Sequence, residues 1–276
     1  MSLPDITPWP SEAIWQLVAP LLPGFSVEVV PEIDSTNAEL MRRLRADCAD
    51  PVLLVAEHQT AGRGRMARPW HSSPGAAGTA GPGTLMFSLG LPLAPKDWSG
   101  LSLAVGWSLA NSLHPEIRLK WPNDLWWQGR KLAGVLIETA NAKKADKPGS
   151  RYVVIGVGLN ILRPDVAGLS TEPAGLAELL PGTTAMQALA QLMAPLVETL
   201  QEFEQQGFAP FQARFQARDA LAQTRVDLSD GQHGVAQGVD PDGALRLQTT
   251  EGLRRVTSAE VSVRRAQLPA DRRSDN

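Results

Sequence analysis

The sequence predicts a mixed α+β fold with a small all-β unit at its C-terminal end. Up to about residue 222, helical spacing of apolar residues alternates with apolar strands. The chain then changes to short alternating stretches separated by Asp-Gly turns. A length of 276 residues allows one or two domains. We therefore predict a domain at 1–222 with a short extension at 1–26, a second domain at 223–266, and a disordered charged tail at 267–276.

Apolar periodicity places the elements in order along the chain. Predicted helices are Ser11–Leu22, Thr36–Leu44, Leu101–Leu113, Thr184–Gln206 and Phe208–Leu221. Predicted strands of the first domain are Val27–Ile33, Pro51–Ala56, Thr84–Leu91, Arg118–Trp121, Leu125–Trp127, Leu132–Glu138 and the central Tyr152–Ile161. Those of the second domain are Val226–Leu228, Gly234–Val239, Ala244–Thr249 and Gly252–Val256.

Two details of the helices are specific enough to be checked. Thr36–Glu39 has the spacing of a capping box, so Thr36 is predicted to cap the second helix. In the first helix, one face is predicted to carry the apolar residues Ile14, Trp15, Val18 and Leu22.

Composition narrows the class of protein. A net charge of −3 gives no general reason to expect nucleic acid or an anionic membrane as partner. Cys48 is the single cysteine, which excludes an internal disulfide and a thiolate-rich zinc site. Residues 1–23 do not resemble a signal peptide, and no apolar run reaches the ~18 residues needed to span a bilayer. We expect a cytoplasmic protein without a membrane partner.

A glycine loop rich in arginine, Gly62–Arg68, follows the second predicted strand. Its glycine spacing partly matches a dinucleotide-binding fingerprint. Pro69 lies where that fold needs a helix, and no acidic strand end stands at the required distance, so the dinucleotide interpretation fails. The pliable backbone and crowded cations favour a phosphate or carboxylate site, and a solvated basic loop is the alternative. The cations are Arg63, Arg65 and Arg68.

A second group of candidates surrounds Pro122, which must interrupt its strand. Asn123 and Asp124 follow it and are predicted to turn outward toward polar ligand groups, with simple turn chemistry as the alternative. Lys131 enters a nearly apolar strand, either at the wet edge or aimed into a site. Burying this lysine without an anion would cost on the order of several kcal/mol, which makes a functional role attractive.

Two more stretches place polar groups at the ends of elements. Asp34–Asn37 begins a helix, and capping and ligand binding are both compatible with its hydroxyls. Gly156–Asn160 ends the central strand, where glycines indicate close approach of a ligand or another backbone, or else core packing. Asn160 could bind a base or a sugar.

Taken in order, these stretches resemble the biotin–protein ligase family. Each motif is weak alone, but the ordered set is highly specific and covers roughly Val27 to Arg264. The motifs are Glu32–Asn37, Ala56–Arg65, Lys120–Asp124, Arg130–Gly134 and Gly156–Asn160, and Ala259–Arg264 resembles the C-terminal closing segment of that family.

The resemblance implies a class II aminoacyl-tRNA synthetase-like catalytic domain followed by an SH3-like β-barrel. It implies that biotin, ATP and Mg²⁺ give biotinyl-5′-AMP, from which biotin passes to a lysine of a biotin carboxyl carrier domain. Arg65, Lys131 and Asp124 would be catalytic, and no side chain is implied as a metal ligand. Residues implied for biotin are Ser35, Thr36, Asn37, Gln59, Arg63, Gly64, Arg65 and Lys131. Those implied for the nucleotide are Arg63, Arg65, Arg68, Trp70, Asn123, Asn160 and Arg264.

The chain departs from the family pattern at a few places. Ala67 stands where a third glycine is frequent and His58 where tyrosine is frequent, but neither change removes a charge. The Gly75–Gly83 insertion is unusual in length. About thirty residues precede the biotin segment, too few for the winged-helix domain of family members that repress transcription, so no DNA partner is expected. A monomer and a homodimer both remain open.

Two other functions are weighed. A lipoate–protein ligase shares the scaffold and the adenylation logic, but the Gly-Arg-Gly-Arg and Lys-Trp-Pro-Asn-Asp motifs argue against it. A biotin-responsive regulator would bind the same ligand and would transfer no label to a carrier domain.

Overall fold

The computed structural model describes residues 9–75, 81–141, 149–166, 168, 171–257 and 263–265. The helices are α1 (Ser11–Val18), α2 (Thr36–Arg45), α3 (Leu101–Leu113), α4 (Leu176–Leu179), α5 (Ala185–Gln206) and α6 (Ala209–Gln216), with a 3₁₀ turn at Arg65–Ala67. The strands are β1 (Ser26–Ile33), β2 (Val52–Gln59), β3 (Thr84–Leu93), β4 (Arg118–Lys120), β5 (Asp124–Trp127), β6 (Arg130–Ala140), β7 (Arg151–Asn160), β8 (Arg225–Leu228), β9 (His233–Val239), β10 (Leu245–Thr249), β11 (Gly252–Val256) and β12 (Val263–Arg265).

The larger sheet has seven strands in the order β1-β2-β3-β7-β6-β5-β4. β1 and β2 are parallel, and the other neighbours are antiparallel. β7 therefore lies at the centre, as its continuous apolar sequence predicts. Successive residues of β2 point to opposite faces: Leu53 and Val55 join the core beneath α3 and α5, whereas Val52 and Leu54 pack with α2.

The smaller sheet is fully antiparallel, in the order β11-β10-β9-β8-β12. Its apolar residues belong to the same continuous core as those of α3 and α6. The buried Trp121 indole donates a hydrogen bond across the junction to the Gly243 carbonyl at 3.0 Å. The mixed α+β prediction is thus confirmed, and the two sheets are joined by packing as well as by the chain.

Several predicted details of the helices are wrong. α1 ends at Val18, and Trp15 is 46% exposed because its indole reaches out to the Phe25 carbonyl at 3.0 Å. Ser35, and not Thr36, caps α2, since the Thr36 hydroxyl is buried among other polar groups. α6 ends at Gln216, five residues early, because the chain turns there to pair with β4.

Other predictions hold or fall outside what can be described. α3 is confirmed, and α5 begins one residue after the predicted start, because Thr184 is its N-cap. A hairpin turn at Gln128 and Gly129, which both have positive φ, joins β5 to β6. α4 was not predicted. The middle of the 75–83 insertion, most of the 141–150 loop, residues 259–262 and the 267–276 tail lie outside the described residues. No helix in the described ranges is long and apolar enough to cross a membrane.

Candidate active site

One cleft of about 530 Å³ opens at the ends of β2, β6 and β7. Every residue predicted for the site lines this cleft: Ser35, Thr36, Asn37, Gln59, Arg63, Gly64, Arg65, Arg68, Trp70, Asn123, Asp124, Lys131, Asn160 and Arg264. Residues separated by more than 200 positions in the sequence therefore meet around one volume. The two sheets contribute jointly, because Arg264 belongs to β12.

A buried polar pocket is formed where β1 turns into α2. Ser35, Thr36 and Asn37 are each no more than 4% exposed. Asp34 fixes this turn from outside: it accepts the Ser35 N–H at 2.7 Å and pairs with Arg42, and the hydrogen bond from Arg42 lowers the pKa of Asp34 to about 2. The first turn of α2 thus presents hydroxyl and amide groups in a fixed arrangement.

The hydrogen bonds of this pocket reach three strands of the sheet. Gln59 Oε1 accepts the Thr36 N–H at 2.7 Å. Ser88 Oγ lies 2.7 Å from Thr36 Oγ1 and 2.6 Å from Asn37 Oδ1. Asn37 Nδ2 donates to Glu138 at 2.8 Å. Neither Ser88 nor Glu138 was predicted, because each meets α2 only through the tertiary fold.

The arginine loop folds back on itself instead of staying open. Gly62 O accepts the Trp70 N–H at 2.9 Å, and Gly64 N–H donates to Arg68 O at 2.7 Å. A Cβ on Gly62 would stand 2.6 Å from the Trp70 carbonyl, so this position requires glycine. Glycine here permits a narrow turn of the protein backbone, whereas the sequence suggested room for a ligand.

Cationic side chains gather around one carboxylate in the middle of the cleft. Lys131 Nζ lies 2.8 Å and Lys120 Nζ 4.0 Å from Asp124 oxygens. Burial lowers the pKa of both Lys120 and Arg65, while the charge of Asp124 opposes that shift. Among the described residues of this cluster, Arg65, Lys120 and Lys131 face the single carboxylate of Asp124, a balance of charge that suits an anionic ligand. Lys120 belongs to the Lys120–Asp124 motif, but it is not among the site residues predicted from the sequence.

Two asparagines, Asn123 and Asn160, direct their side-chain amides to the protein backbone, whereas the sequence suggested contacts with a ligand. Asn123 is turned inward, donating to the Val135 carbonyl at 2.7 Å and accepting from Arg65 at 3.4 Å, so the predicted outward orientation is wrong for this residue. Asn160 donates to the Ala174 carbonyl at 3.1 Å. Both amides are drawn to backbone carbonyls that would otherwise be buried unpaired. In this structure Asn123 orients Arg65.

The glycines of β7 make room for side chains. A Cβ on Gly156 would lie 2.1 Å from Asn37 Oδ1, and one on Gly158 would lie 2.3 Å from Trp70 Cε2. The predicted close approach is therefore present, but the neighbours are side chains of other elements. Within the described part of the chain, the buried Trp70 Nε1 has no hydrogen-bond partner. That nitrogen lies on the edge of the ring that packs against β7, 2.5 Å from where a Cβ on Gly158 would stand.

A segment that follows β7 was missed entirely. Pro164, Val166 and Thr171 line the cleft. Its far end is paired to the start of β6, since Lys131 N–H donates to Glu172 O and Ala174 N–H donates to Lys131 O, both at 2.8 Å. The segment thereby fixes the backbone of Lys131. It has no apolar period, so neither a helix nor a strand is predicted for it from the sequence.

Comparison with known proteins finds two matching regions. Residues 29–160 match the biotin/lipoate A/B protein ligase family, and residues 225–264 match the biotin protein ligase C terminal domain. The first match spans β1 to β7 with most of the cleft. The second spans the smaller sheet.

Individual relatives agree with these matches. The bifunctional ligase/repressor BirA of Escherichia coli is 34% identical over 262 residues, which cover 89% of this chain and 76% of that protein. The biotin–[acetyl-CoA-carboxylase] ligase of Mycobacterium tuberculosis is 33% identical over 242 residues, which cover 80% and 82%. The biotin protein ligase of Aquifex aeolicus in complex with biotin and ATP superposes with a TM-score of 0.72 at 26% identity, covering 87% of this chain and 99% of that one.

Proposed function

The chain belongs to the biotin protein ligase family, and we propose that Arg65, Lys131 and Asp124 carry out its activation of biotin with ATP. The protein is an ATP-dependent biotin ligase. The observation that carries the residue assignment is the cluster of Arg65, Lys120 and Lys131 around Asp124, next to a buried polar pocket.

The first step brings two anions together, the carboxylate of biotin and the triphosphate of ATP. A carboxylate oxygen of biotin attacks the α-phosphorus of ATP, the bond to the bridging oxygen breaks, and pyrophosphate leaves. Positioned cations are the main requirement for such a step, because they offset charge that develops during the transfer. Lys131 and Arg65 supply them, while Asp124 holds Lys131 in place at 2.8 Å and Asn123 orients Arg65.

The second step uses the mixed anhydride of biotinyl-5′-AMP. A lysine amine of a biotin carboxyl carrier domain attacks the acyl carbon, AMP leaves, and the amine proton passes to water. We propose this partner because the similar Mycobacterium protein is named for acetyl-CoA carboxylase. The carrier lysine would enter from the solvent side of the cleft, where the lining residues Arg68 and Arg264 are exposed.

Biotin and the nucleotide would occupy opposite ends of the cleft. The pocket of Ser35, Thr36, Asn37 and Gln59 would hold the ureido ring of biotin, since it offers both donors and acceptors. The carboxylate would reach Lys131 together with the backbone at Gly64 and the side chain of Arg63. For the nucleotide, the remaining surface of the cleft would be lined by Arg68, Trp70, Asn123, Asn160 and Arg264.

Magnesium would enter with the triphosphate. The described residues contain no group of three His, Cys, Asp or Glu side chains suited to a metal. Protein sites often hold Mg²⁺ through substrate phosphates and few carboxylates, so the triphosphate would supply most of the ligands of the ion. When bound, the ion would draw charge from the pyrophosphate leaving group.

For the architecture we propose a class II aminoacyl-tRNA synthetase-like catalytic domain over 1–222 and an SH3-like barrel over 223–266. The seven-stranded mixed sheet and the five-stranded antiparallel sheet are consistent with those names. The match at residues 225–264 supports the boundary near residue 222.

The residue roles can be tested through pyrophosphate release that depends on biotin. Lys131→Ala and Arg65→Ala are expected to slow this release about a hundred- to a thousandfold, because each removes one preorganised cation from the reacting centre. The fold should survive, since both side chains lie at the cleft surface and leave the apolar core intact.

The matched controls are Lys96→Ala and Arg151→Ala, which remove exposed cations outside the cleft. Their rates should equal that of the parent protein. Parent-like release in Lys131→Ala and Arg65→Ala would refute the assigned roles. Release that required lipoate in place of biotin would refute the substrate.

A further inference from the structure

The hydrogen bonds behind the polar pocket form a chain whose direction can be worked out. Ser88 Oγ contacts both Asn37 Oδ1 at 2.6 Å and Thr36 Oγ1 at 2.7 Å. A serine hydroxyl has one proton, so it can donate to only one of them. An amide oxygen has no proton to give. Ser88 must therefore donate to Asn37 Oδ1, and the Thr36 hydroxyl must donate to Ser88.

This chain of hydrogen bonds requires one particular orientation of the Asn37 side-chain amide, and Glu138 fixes that orientation. A carboxylate oxygen only accepts, so the Asn37 atom 2.8 Å from Glu138 Oε2 must be the Nδ2 group. The Leu136 carbonyl, 3.4 Å from the same nitrogen, favours the same orientation. The amide oxygen consequently points to Ser88. Neither Ser88 nor Glu138 is among the described residues that line the cleft.

The hydroxyl at the end of this chain of hydrogen bonds, that of Thr36, determines where the pocket accepts a hydrogen bond from a ligand. Because the Thr36 proton goes to Ser88, Thr36 Oγ1 offers lone pairs to the cleft. Thr36 has one hydroxyl proton, and its contact with Ser88 Oγ at 2.7 Å is shorter than its contact with Gln59 Oε1 at 3.2 Å, so Ser88 receives that proton. Ser35 is the opposite case: its Oγ accepts the Ala38 N–H as the helix cap, which leaves the hydroxyl proton for donation. An acceptor thus stands next to a donor.

We infer that Glu138 is a positioning residue that, through Asn37 and Ser88, fixes the hydroxyl protons for a ligand edge carrying N–H beside C=O. In the proposed function, on which this inference rests, that edge is the ureido ring of biotin. The N–H donates to Thr36 and the C=O accepts from Ser35. The selectivity of the pocket is therefore set by a carboxylate that touches no ligand.

The first test exchanges the carboxylate for an amide of the same shape. In Glu138→Gln the new side chain can donate as well as accept, so Asn37 is no longer held in one orientation. The Kd for biotin, measured by calorimetry, should rise about tenfold, because one buried hydrogen bond between the pocket and biotin is no longer held in a fixed direction. At saturating biotin, kcat and the KM for ATP should stay within about twofold of the parent values.

Two controls separate this effect from a change in pocket shape. Glu57→Gln alters an exposed carboxylate on β2 that accepts from the Trp9 indole, and its Kd for biotin should match the parent. Desthiobiotin keeps the ureido ring and lacks the sulfur ring. Its Kd should rise by the same factor as that of biotin in Glu138→Gln.

A double-mutant cycle tests whether Glu138 and Ser88 act through one chain. Ser88→Ala should also raise the Kd about tenfold, and the double variant should be little weaker than the worse single one, because the chain is already broken. Three results would each overturn the inference. They are additive losses of biotin affinity in the double variant, a parent-like Kd for biotin in Glu138→Gln, and an equal loss of ATP affinity. If the parent protein itself bound no biotin, the proposed function would fall, and the inference with it.

Discussion

Among single residues, the close contact of Gly158 with Trp70 links the packing of β7 to the proposed nucleotide site. The indole lies against the β7 backbone, where a Cβ would stand 2.3 Å from Cε2, and Lys131 Nζ lies 5.5 Å from the centre of the same ring. The glycine thus lets the Trp70 ring pack against β7 while remaining close to Lys131. Any side chain at position 158 must push the ring into the cleft.

Gly158→Ala should therefore weaken nucleotide binding. We expect the KM for ATP to rise about tenfold, since displacing a packed ring costs on the order of 1–3 kcal/mol. Steady-state kinetics at saturating biotin measures this directly. Gly106→Ala is the matched control: it lies in α3, where the new Cβ would be an ordinary 3.6 Å from Leu119, and it should leave the KM unchanged. An unchanged KM in Gly158→Ala would remove Trp70 from the nucleotide site.

The residues found by sequence and those missed differ in a physical way. Arg65, Lys131 and Ser35 lie in ordered motifs, so a resemblance could locate them. Ser88 and Glu138 meet Asn37 across 51 and 101 positions of sequence, and no local pattern encodes such a contact. The directions of Asn123 and Asn160 depended on which backbone carbonyls needed a donor, which only the folded chain decides.

At the scale of elements, the segment between α6 and β8 anchors the smaller sheet to the larger one. Arg218 donates to the carbonyls of Ala110, His114 and Ile117 near the end of α3. Asp219 Oδ1 accepts the Leu221 N–H at 2.8 Å, and among the described residues its Oδ2 is buried without a hydrogen-bond partner. Burial raises the pKa of Asp219 from 3.8 to about 6.

This carboxyl should make stability depend on pH. Between pH 4 and 6 the unfolded chain has lost the proton and the folded chain still holds it, so the folded state loses stability as pH rises. Asp219→Asn removes that dependence. Relative to the variant, the parent should lose up to about 3 kcal/mol in free energy of unfolding between pH 4 and 7. Urea titrations of both proteins across this range measure the difference, and parallel curves would contradict the assignment.

Among the elements, strong periodicity and turn chemistry were reliable guides. α3 and α5 follow their predicted patterns, and Gly231 and Gly243 of the predicted Asp-Gly turns have positive φ. The end of α6 and the segment after β7 were set by pairing with β4 and β6, and the sequence carries no period for such contacts. Tertiary pairing therefore explains most of the wrong boundaries.

At the scale of the whole molecule, one continuous core underlies both sheets. Phe211 of α6, Leu103 of α3 and Val239 of β9 belong to it, and Gly243 approaches Gly100 so closely that a Cβ would lie 2.8 Å from the Gly100 Cα. The smaller unit is thus held by the larger one, as expected for about 45 residues with a limited core of their own. This junction also brings Arg264 to the cleft.

In the proposed mechanism, this cleft activates biotin and passes it to a lysine of a carrier protein. The most direct measurement incubates the protein with Mg-ATP, an apo biotin carboxyl carrier domain, and either biotin or lipoate, and then determines the mass of the carrier. We expect one biotinyl group on the carrier with biotin and no change with lipoate. With Lys131→Ala in place of the parent protein, the carrier should gain the biotinyl group about a hundred- to a thousandfold more slowly. A carrier that gained a lipoyl group, or stayed unmodified with biotin, would contradict the claim.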